Sequence, residues 1–474
     1  MIGELKPYPA YRESGLPWLR QVPAHWSVVR NGSLFGHRSQ TGYADLPILE
    51  VSLKTGDQVR CFGAAKRKQV MSDLSKYKRA VKGDLAYNTM RMWQGALGVC
   101  PADGLVSPAY VVARPYPGVQ TQYFASLFRT GDYMAQIDAA SRGIVKDRNR
   151  LYWDQFKQMQ SPCPPPNEQG AIVRILEWAN GRLEKTIRAK RRAIGLLAEQ
   201  KQASIQRYLS TGLVSGAALK PTGSPWLGDV PTHWRVSRLK HCITRIEQGW
   251  SPQCDAQLAG DGEWGVLKVG CVNKESFAPL QNKKLPDSLR PDVSLEVRDG
   301  DILVSRANTR DLLGLAVLAN KPRPKLILSD KLFRFRAKGE HFDSTFLVLA
   351  LRAKASRAQI ESSTNGASSS MQNIGQGVLK NLWLAVPPVE EQQAIVERIR
   401  IETRPLNEAI SRLEREISLL REYRSRLAAD VVTGKLDVRE AATRLPEGAT
   451  GDIACAPADE ADDSELLDEE ATEA

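Results

Sequence analysis

The sequence predicts an α+β protein in which two mixed α/β domains alternate with two long helices, so that one half of the chain repeats the other. Three observations predict this fold class. A tryptophan-containing segment occurs twice, a Pro-Pro segment followed by Glu-Gln occurs twice, and a heptad pattern follows each copy of the second segment. The length of 474 residues, with 42% hydrophobic and 25% charged residues, is that of an ordinary globular protein with two to four domains.

The first repeat joins residues 14–28, SGLPWLRQVPAHWSV, to residues 222–236, TGSPWLGDVPTHWRV, at a constant offset of 208. Each copy places a histidine, His25 or His233, between a proline and a tryptophan. This surrounding favours a packed anchoring segment with a hydrogen-bonded imidazole over a metal ligand or a catalytic base.

The second repeat joins residues 164–176, PPPNEQGAIVRIL, to residues 387–399, PPVEEQQAIVERI, at an offset of 223. Proline before acidic residues is typical of the first turn of a helix, so each copy predicts a helix start. Each copy is followed by a Thr-Gly pair, and a weaker similarity relates Gly-Asp-Leu at 83–85 to Gly-Asp-Ile at 300–302.

Apolar residues after each helix start recur at alternating steps of four and three, which predicts long helices over about 182–209 and 405–432. Breaks are predicted at residues 180–181 and at Pro405. We expect the two helices to pack as an antiparallel coiled coil with a pseudo-twofold internal repeat and to span about 42 Å. The alternative is that each helix docks separately on its own domain. The predicted helix–helix spacer residues are Leu183, Ile187, Ile194, Leu197, Leu406, Ile410, Leu413, Ile417, Leu420 and Leu427.

The segments between the repeats differ greatly in sequence although their borders match. Short apolar runs predict strands at 46–52, 95–100, 110–116, 264–270, 301–306 and 313–319, with helices at 121–137 and 343–360. The resulting boundaries are a first domain at 1–163, a first helical spacer at 164–213, a second domain at 214–386, a second helical spacer at 387–440 and an acidic tail at 441–474.

Charge is unevenly distributed along the chain. The net charge is +12, and eleven acids lie between Glu447 and Ala474, where there is no Lys or Arg, so the preceding residues carry +23. A body this basic favours a polyanionic partner, usually nucleic acid, over a basic protein without one. The acidic tail has no periodic apolar face and is predicted to be disordered, either as a dispensable linker or as a screen for the basic surface.

Basic and small polar residues concentrate in loops of both domains, where Arg suits guanine, Asn suits adenine and Lys suits phosphate. Arg150, Arg352 and Arg357 belong to this wider basic set. The candidate DNA-binding residues are Lys66, Arg67, Lys68, Arg91, Arg142, Lys146, Arg148, Arg306, Asn308, Arg310, Asn365, Ser368 and Ser369.

Motifs for chemistry are missing from the sequence. There is no GxxxxGK(S/T) loop, and the only Pro-Pro sites precede helices and lack the aromatic residue of an amino-methyltransferase motif. The seven cysteines are scattered and never form CxxC, so neither a zinc ribbon nor a disulfide framework is expected, and no metal site is predicted. Without a signal peptide or an apolar run of about 20 residues, a cytoplasmic protein is expected.

To about residue 440, the chain resembles the specificity subunit of a type I restriction–modification system. The resemblance rests on the twin P-W-L-x-x-V-P-x-H-W and P-P-x-x-E-Q-x-x-I-V segments and on phrases such as LPILEVSLKTG (46–56), QGWSP (248–252) and GDILVSRAN (300–308). It implies a non-catalytic subunit with two target-recognition domains, each reading one half of a split double-stranded DNA site. It also implies helices that set the spacing and dock two modification (methyltransferase) subunits, with restriction (endonuclease/translocase) subunits joining them. S-adenosylmethionine, ATP and Mg would then be bound by those partners, and no cofactor by this chain. The acidic tail departs from the usual pattern.

Two other functions stay open from the sequence. One is a non-catalytic two-domain interaction scaffold that binds protein or RNA. The other is an autonomous nuclease or methyltransferase, which the missing motifs disfavour.

Overall fold

The computed structural model describes residues 5–51, 59–61, 74–142, 149–214, 216–254, 256–364 and 372–446. The chain divides into two compact units. The first comprises residues 1–191 and 414–474, and the second comprises residues 192–413. Each unit therefore contains one of the strand-rich domains together with part of each long helix.

The elements alternate along the chain as the repeats predict. The first domain and first long helix contain β1 (Tyr11–Leu16), β2 (Leu19–Pro23), β3 (Ser27–Arg30), α1 (Asn31–Leu34), β4 (Phe35–Arg38), β5 (Leu49–Val51), β6 (Val59–Cys61), β7 (Lys78–Ala80), β8 (Leu85–Asn88), β9 (Leu97–Val99), β10 (Gly104–Val106), β11 (Tyr110–Pro115), α2 (Thr121–Phe128), α3 (Gly131–Ala140), α4 (Trp153–Phe156), β12 (Gln160–Cys163) and α5 (Pro166–Thr211). The second domain contains β13 (Leu219–Pro221), β14 (Asp229–Pro231), β15 (Arg235–Arg238), β16 (Glu247–Gln248), β17 (Gly265–Leu267), β18 (Asn282–Lys284), β19 (Ile302–Ser305), β20 (Ala307–Asn308), β21 (Ala316–Leu318), β22 (Leu326–Ile327), β23 (Leu332–Phe335), α6 (Ser344–Arg352), α7 (Lys354–Ser362), β24 (Gln372–Asn373), α8 (Gln376–Asn381) and β25 (Trp383–Val386). The last elements are α9 (Val389–Val432) and α10 (Arg439–Thr443).

A four-stranded antiparallel sheet forms the centre of each domain, with the order β4-β11-β8-β9 in the first and β16-β23-β19-β21 in the second. Each domain also has a separate two-stranded sheet, in which the strand at the end of the anchoring segment pairs with the strand before the Pro-Pro segment. These pairs are β3 with β12 and β15 with β25. The two domains thus share one topology, which explains why their borders repeat.

The similarity between residues 83–85 and 300–302 marks the same turn in both sheets. The glycine before each aspartate has a positive φ, of 89° and 84°. Asp84 then accepts a hydrogen bond from Arg38 Nε at 2.7 Å, and Asp301 accepts one from Arg336 Nε at 2.6 Å. Burial raises the pKa of Asp84 even though the Arg38 bond opposes this rise. Each aspartate fixes the start of a central strand.

The domains differ mainly outside this sheet. The second has a further three-stranded sheet of order β18-β17-β22, whereas the first has the two-stranded pairs β10-β7 and β5-β6. The two domains therefore carry different sheets around a shared centre.

The predicted strands are present, but two of the predicted helices are each divided in two. The helix expected at 121–137 is two helices, because Thr130 leaves helical geometry and its side chain accepts from Tyr133 N. The helix expected at 343–360 is likewise divided at Ala353, which has extended backbone.

The breaks predicted near residue 180 and at Pro405 do not occur, since α5 and α9 run through both positions. Pro405 and Ile401 are exposed, so the carbonyl that loses its helical partner faces solvent. Gly181 is also exposed and helical. The packed face of each helix offsets the free energy that a proline or a glycine costs in a helix interior.

Candidate nucleic-acid interface

One buried carboxylate holds the anchoring segment of the first unit. Glu168, in the first turn of α5, is only 3% exposed. Its Oε1 accepts from Tyr8 Oη at 2.5 Å and from Trp26 Nε1 at 2.9 Å, and its Oε2 lies 2.8 Å from His25 Nε2. The positive end of the helix dipole favours a carboxylate at this position. The two sequence repeats therefore meet at a single site.

The second unit repeats this contact with fewer bonds. His233 Nε2 lies 2.7 Å from Oε2 of Glu391, whose side chain is 19% exposed. Trp234 is completely buried, yet its Nε1 has no hydrogen-bond partner among the described residues. The hydrogen-bonded imidazole in a packed anchoring segment is confirmed in both units.

The glutamine after each of these glutamates joins the helix start to the body of its domain. Gln169 and Gln392 each donate from Nε2 to the proline carbonyl five residues earlier, at 2.8 and 2.9 Å. Their Oε1 atoms accept from the backbone N–H of Gln120 and of Asp343, both at 2.9 Å. Gln120 and Asp343 directly precede α2 and α6. The sequence analysis did not predict these roles of the two glutamates and the two glutamines. The signal that could have revealed them is that both residues are identical in the two Pro-Pro repeats.

Each long helix ends in a glycine that closes against an anchoring segment. Gly434 has φ 77°, and a Cβ there would lie 2.5 Å from Pro23 Cδ and 3.1 Å from the ring of Trp26. Gly212 has φ 70°, and a Cβ there would lie 2.9 Å from Glu391 Oε1 and 3.2 Å from the ring of Trp234. The Thr-Gly repeats are thus sites of close approach as well as helix ends.

Within the first unit, α5 and α9 run antiparallel and are joined by ion pairs. Lys190 Nζ lies 2.5 Å from Glu416 Oε2, and Arg424 pairs with Glu184. Of the predicted spacer residues in this unit, the buried ones are Ile187, Ile417 and Leu427, and the half-buried ones are Leu183 and Leu420.

Within the second unit, the same two helices are again antiparallel. Lys201 Nζ donates to Asn407 Oδ1 at 2.7 Å, and Tyr208 donates to Glu402. The remaining predicted spacer residues, Ile194, Leu197, Leu406, Ile410 and Leu413, are all half-buried. Part of each helix also belongs to a domain core, because Ile205 and Ile399 pack in the second and Ile175 and Val431 in the first.

The candidate DNA-binding residues are only partly described. Lys66, Arg67, Lys68, Lys146, Arg148, Asn365, Ser368 and Ser369 lie outside the described residues. Arg91 is half-buried and Arg142 is exposed in the first unit. In the second, Arg306 Nη1 donates to the carbonyl of Asp330 at 3.2 Å, and Asn308 Nδ2 donates to Asn273 Oδ1 at 3.0 Å.

Three other arginines of the second unit, Arg310, Arg352 and Arg357, differ in how far their side chains are exposed. Arg310 is 65% exposed, with Glu361 4.0 Å away. Arg352 Nη1 donates to two backbone carbonyls, and Arg357 donates to three, including that of Leu313. Burial lowers the pKa of both Arg352 and Arg357. The structure therefore gives these two arginines a bracing role in the domain, whereas the guanidinium of Arg310 is mostly exposed beside Glu361.

A cavity of about 530 Å³ lies in the second unit, between α5, α6, the start of α9 and residues 275–277. Lys201 lines it and is already paired with Glu275 and Asn407. Among the described residues there is no group of three or more His, Cys, Asp or Glu side chains suited to a metal ion. No described helix is both long enough and apolar enough to span a membrane.

Residues 234–418 match the family model described as the type I restriction modification DNA specificity domain. The EcoEI type I restriction enzyme specificity subunit of Escherichia coli is 32% identical over 187 residues, which are 39% of this chain and 32% of that protein. The MjaVIII type I restriction enzyme specificity subunit of Methanocaldococcus jannaschii is 24% identical over 293 residues, which are 60% of this chain and 64% of that protein. The matches thus span about a third and just under two thirds of these relatives.

A solved structure described as showing complex assembly and conformational transition of the type I R-M system has the same fold. It covers 88% of this chain and 99% of its own, with a TM-score of 0.61 and 15% identity. The predicted mixed α+β fold and the resemblance to type I specificity subunits are confirmed by these matches.

Proposed function

We propose that this chain, which carries a type I DNA specificity domain, is the sequence-specific DNA-binding subunit of a type I restriction–modification complex. Each domain reads one half of a bipartite double-stranded site. The observation that carries the proposal is the duplicated frame: the same anchor, glutamine contact and central sheet occur in both units around unlike loops. A shared frame with different loops is what two readers of different sequences require. The +23 charge of residues 1–446 supports a polyanionic partner.

The proposed organisation keeps the boundaries that the sequence predicts. Residues 1–163 and 214–386 are target-recognition domains, residues 164–213 and 387–440 are helical spacers, and residues 441–474 are an acidic tail. The two helices form an antiparallel coiled coil with pseudo-twofold symmetry. The stretches that carry the predicted spacer residues, about 182–209 and 405–432, span about 42 Å, which corresponds to about one turn of duplex, so that both domains address the same face of the DNA.

The outer faces of the helices dock two methyltransferase subunits, and restriction subunits join that assembly in the cytoplasm. Exposed apolar residues support docking, since Leu419 is 63% and Tyr423 is 44% exposed, one helical turn apart on α9. This chain itself performs no catalysis and binds no cofactor. S-adenosylmethionine, ATP and Mg²⁺ belong to the partner subunits.

Binding of the purified full chain to duplex DNA tests the proposal. Phosphate contacts predict an affinity that falls steeply with salt, with a log–log slope of about −0.9 for each phosphate contacted. Selection from a randomised duplex pool should then enrich two short motifs separated by unselected base pairs. Binding without enrichment, or tighter binding to RNA or to protein, would favour an interaction scaffold instead.

The spacing role is tested by lengthening both helices together. One heptad inserted after Leu197 and one after Ile410 keep the seam in register, because Lys190 pairs with Glu416 on one side of these positions and Lys201 with Asn407 on the other. Seven residues add about 10 Å, so the unselected gap should grow by about three base pairs while both motifs stay unchanged. Changed motifs with an unchanged gap would contradict the proposal that the helices set the spacing and the domains read the bases. A heptad in α5 alone is the matched control and should destabilise the helix pair.

A further inference from the structure

The central strand of the first sheet ends in a backbone position fixed by two hydrogen bonds. Thr89, directly after β8, donates its N–H to the carbonyl of Ala109 at 3.2 Å. Its carbonyl accepts from the N–H of Leu151 at 2.9 Å. Leu151 is completely buried, so this point of the loop is held in place.

The second sheet has the same arrangement at its equivalent strand. Arg306, directly after β19, donates its N–H to the carbonyl of Lys331 at 2.8 Å, and its carbonyl accepts from the N–H of Ile374 at 2.9 Å. Ile374 is 2% exposed. It lies 223 residues after Leu151, the offset that also relates the two helix starts. Leu151 and Ile374 are therefore equivalent positions, established by hydrogen bonding and by the repeat independently.

The residues directly before them, Arg150 and Asn373, are exposed at the same point of the fold. Neither side chain has a hydrogen bond or an ion pair among the described residues. By contrast, the amide of Asn308, on the strand opposite, is already occupied by Asn273 and by the N–H of Thr309. Arg150 and Asn373 thus present unlike donor groups outward from matched backbone.

The surroundings of Arg150 point to an anionic ligand. Arg142 and Arg150 are directly opposite on a β-bridge, joined by two backbone hydrogen bonds of 3.0 Å. Like charges directly opposite on paired strands are destabilising. Both side chains are exposed, and no described acid pairs with either of them. A polyanion at this edge would relieve the repulsion.

The two side chains differ in the base that each complements. The forked guanidinium of Arg fits O6 and N7 of guanine, and the amide of Asn fits the N6 amino group and N7 of adenine. We propose, on the premise that the chain reads duplex DNA as proposed above, that Arg150 and Asn373 are equivalent specificity-determining residues. Arg150 selects guanine in one half-site, and Asn373 selects adenine in the other.

Exchange of the two residues tests this assignment. Duplexes selected from a randomised pool by the full chain are compared between the wild type, Arg150→Asn and Asn373→Arg. Arg150→Asn should replace a guanine by adenine at one position of one motif, and Asn373→Arg should replace an adenine by guanine at one position of the other. A bidentate contact predicts a change in base preference of at least about fivefold at that position. The opposite motif should stay unchanged in each variant.

Matched controls separate base reading from charge. Arg150→Lys keeps the positive charge but loses the two parallel N–H donors of the guanidinium. The variant should therefore retain its affinity for DNA and lose the preference for guanine. Lys82→Asn, before β8, and Asn320→Arg, after β21, make similar charge changes at exposed positions and should change neither motif. Thermal melting of each variant checks that it folds.

Two results would overturn the inference, and they differ from failure of the proposed function. If the wild type enriches a bipartite motif but both exchanges leave it unchanged, other residues read the bases. If Arg150→Asn lowers affinity equally for all sequences and reduces the salt slope by about one, Arg150 contacts only phosphate. Absence of any enriched motif with the wild type would instead refute the proposed function itself.

Discussion

The two anchoring segments share their sequence pattern but differ in how fully their polar groups are paired. In the first unit Glu168 accepts from Tyr8 and Trp26 and contacts His25. Among the described residues of the second, Glu391 contacts His233 as its one aromatic partner, and Trp234 Nε1 is unpaired. A buried polar group without a partner costs about 1–3 kcal/mol.

This difference shows what the repeated residues do and do not determine. The repeated His, Trp and Glu bring the same elements together in both units. Tyr8, which supplies the extra donor, precedes the first repeat and has glycine, Gly216, at the matching offset of 208. The repeated residues therefore determine where each helix start lies, whereas the stability of the contact between helix start and anchoring segment also depends on residues outside the repeat.

The largest difference between the two units is expected when a methyl group is added to the glycine at the end of each long helix. Gly434→Ala should destabilise the first unit by roughly 2–4 kcal/mol, because the new Cβ meets the rigid ring of Pro23 at a positive φ. Gly212→Ala should cost the second unit about 1–2 kcal/mol, because the nearest atom belongs to the flexible side chain of Glu391. Hydrogen exchange followed by peptide mass spectrometry measures the opening of each unit separately.

Gly181→Ala is the matched control for the added methyl group. Gly181 lies in the interior of α5 with no atom within 4 Å of the ideal Cβ, so this change should stabilise the helix by up to about 1 kcal/mol. Equal costs for Gly434→Ala and Gly212→Ala would show that the two helix ends close against their anchors in the same way.

Removal of each glutamate is expected to have the next largest effect. Glu168→Ala leaves the buried Trp26 and Tyr8 donors unpaired and should destabilise the first unit by about 2–3 kcal/mol. Glu391→Ala should cost under about 1 kcal/mol, because its contact with His233 is more exposed. The free energy of opening of each unit, again from hydrogen exchange, checks both values.

Glu408→Ala provides a surface control, since Glu408 is exposed and pairs with Arg404 on the same helix. Its effect should stay within about 0.5 kcal/mol. Partial rescue is expected from Glu168→Gln, because its amide oxygen can still accept from Tyr8 and Trp26 while its NH₂ group replaces the oxygen that contacts His25. A larger loss from Glu391→Ala than from Glu168→Ala would reverse the comparison between the units.

Sequence reasoning was most successful where a pattern repeats or has a period. The two domains, both helix starts and the strands at 97–99 and 302–305 follow from repeated segments and apolar runs. It was wrong where local rules were overridden by packing, as at Pro405, which stays inside α9 because its exposed face tolerates a missing hydrogen bond. The split after Phe128 was missed because a single Thr cap decides it.

The candidate interface was less predictable, for a physical reason. A count of charges cannot tell Arg357, which braces backbone carbonyls, from Arg310, which is exposed, because both lie in basic segments. Only coordinates show which side chains already have partners. Equivalence of Arg150 and Asn373 was likewise missed, because the offset of 223 falls there between unlike sequences and only the backbone bonds to Thr89 and Arg306 show that the positions match.

The hydroxyl of Tyr8 is the smallest change that separates the two anchors. Burial and the neighbouring Glu168 raise the pKa of Tyr8 far above its usual value, so the hydroxyl remains a donor at every ordinary pH. Tyr8→Phe keeps the ring against Trp26 and should cost the first unit about 1–2 kcal/mol, with no change in the second. Tyr423→Phe, at an exposed position on α9, is the control and should have no effect. Unchanged exchange of the first unit in Tyr8→Phe would mean that Glu168 is satisfied by Trp26 and His25 alone, and the contrast between the anchors would then rest on the tryptophan bond.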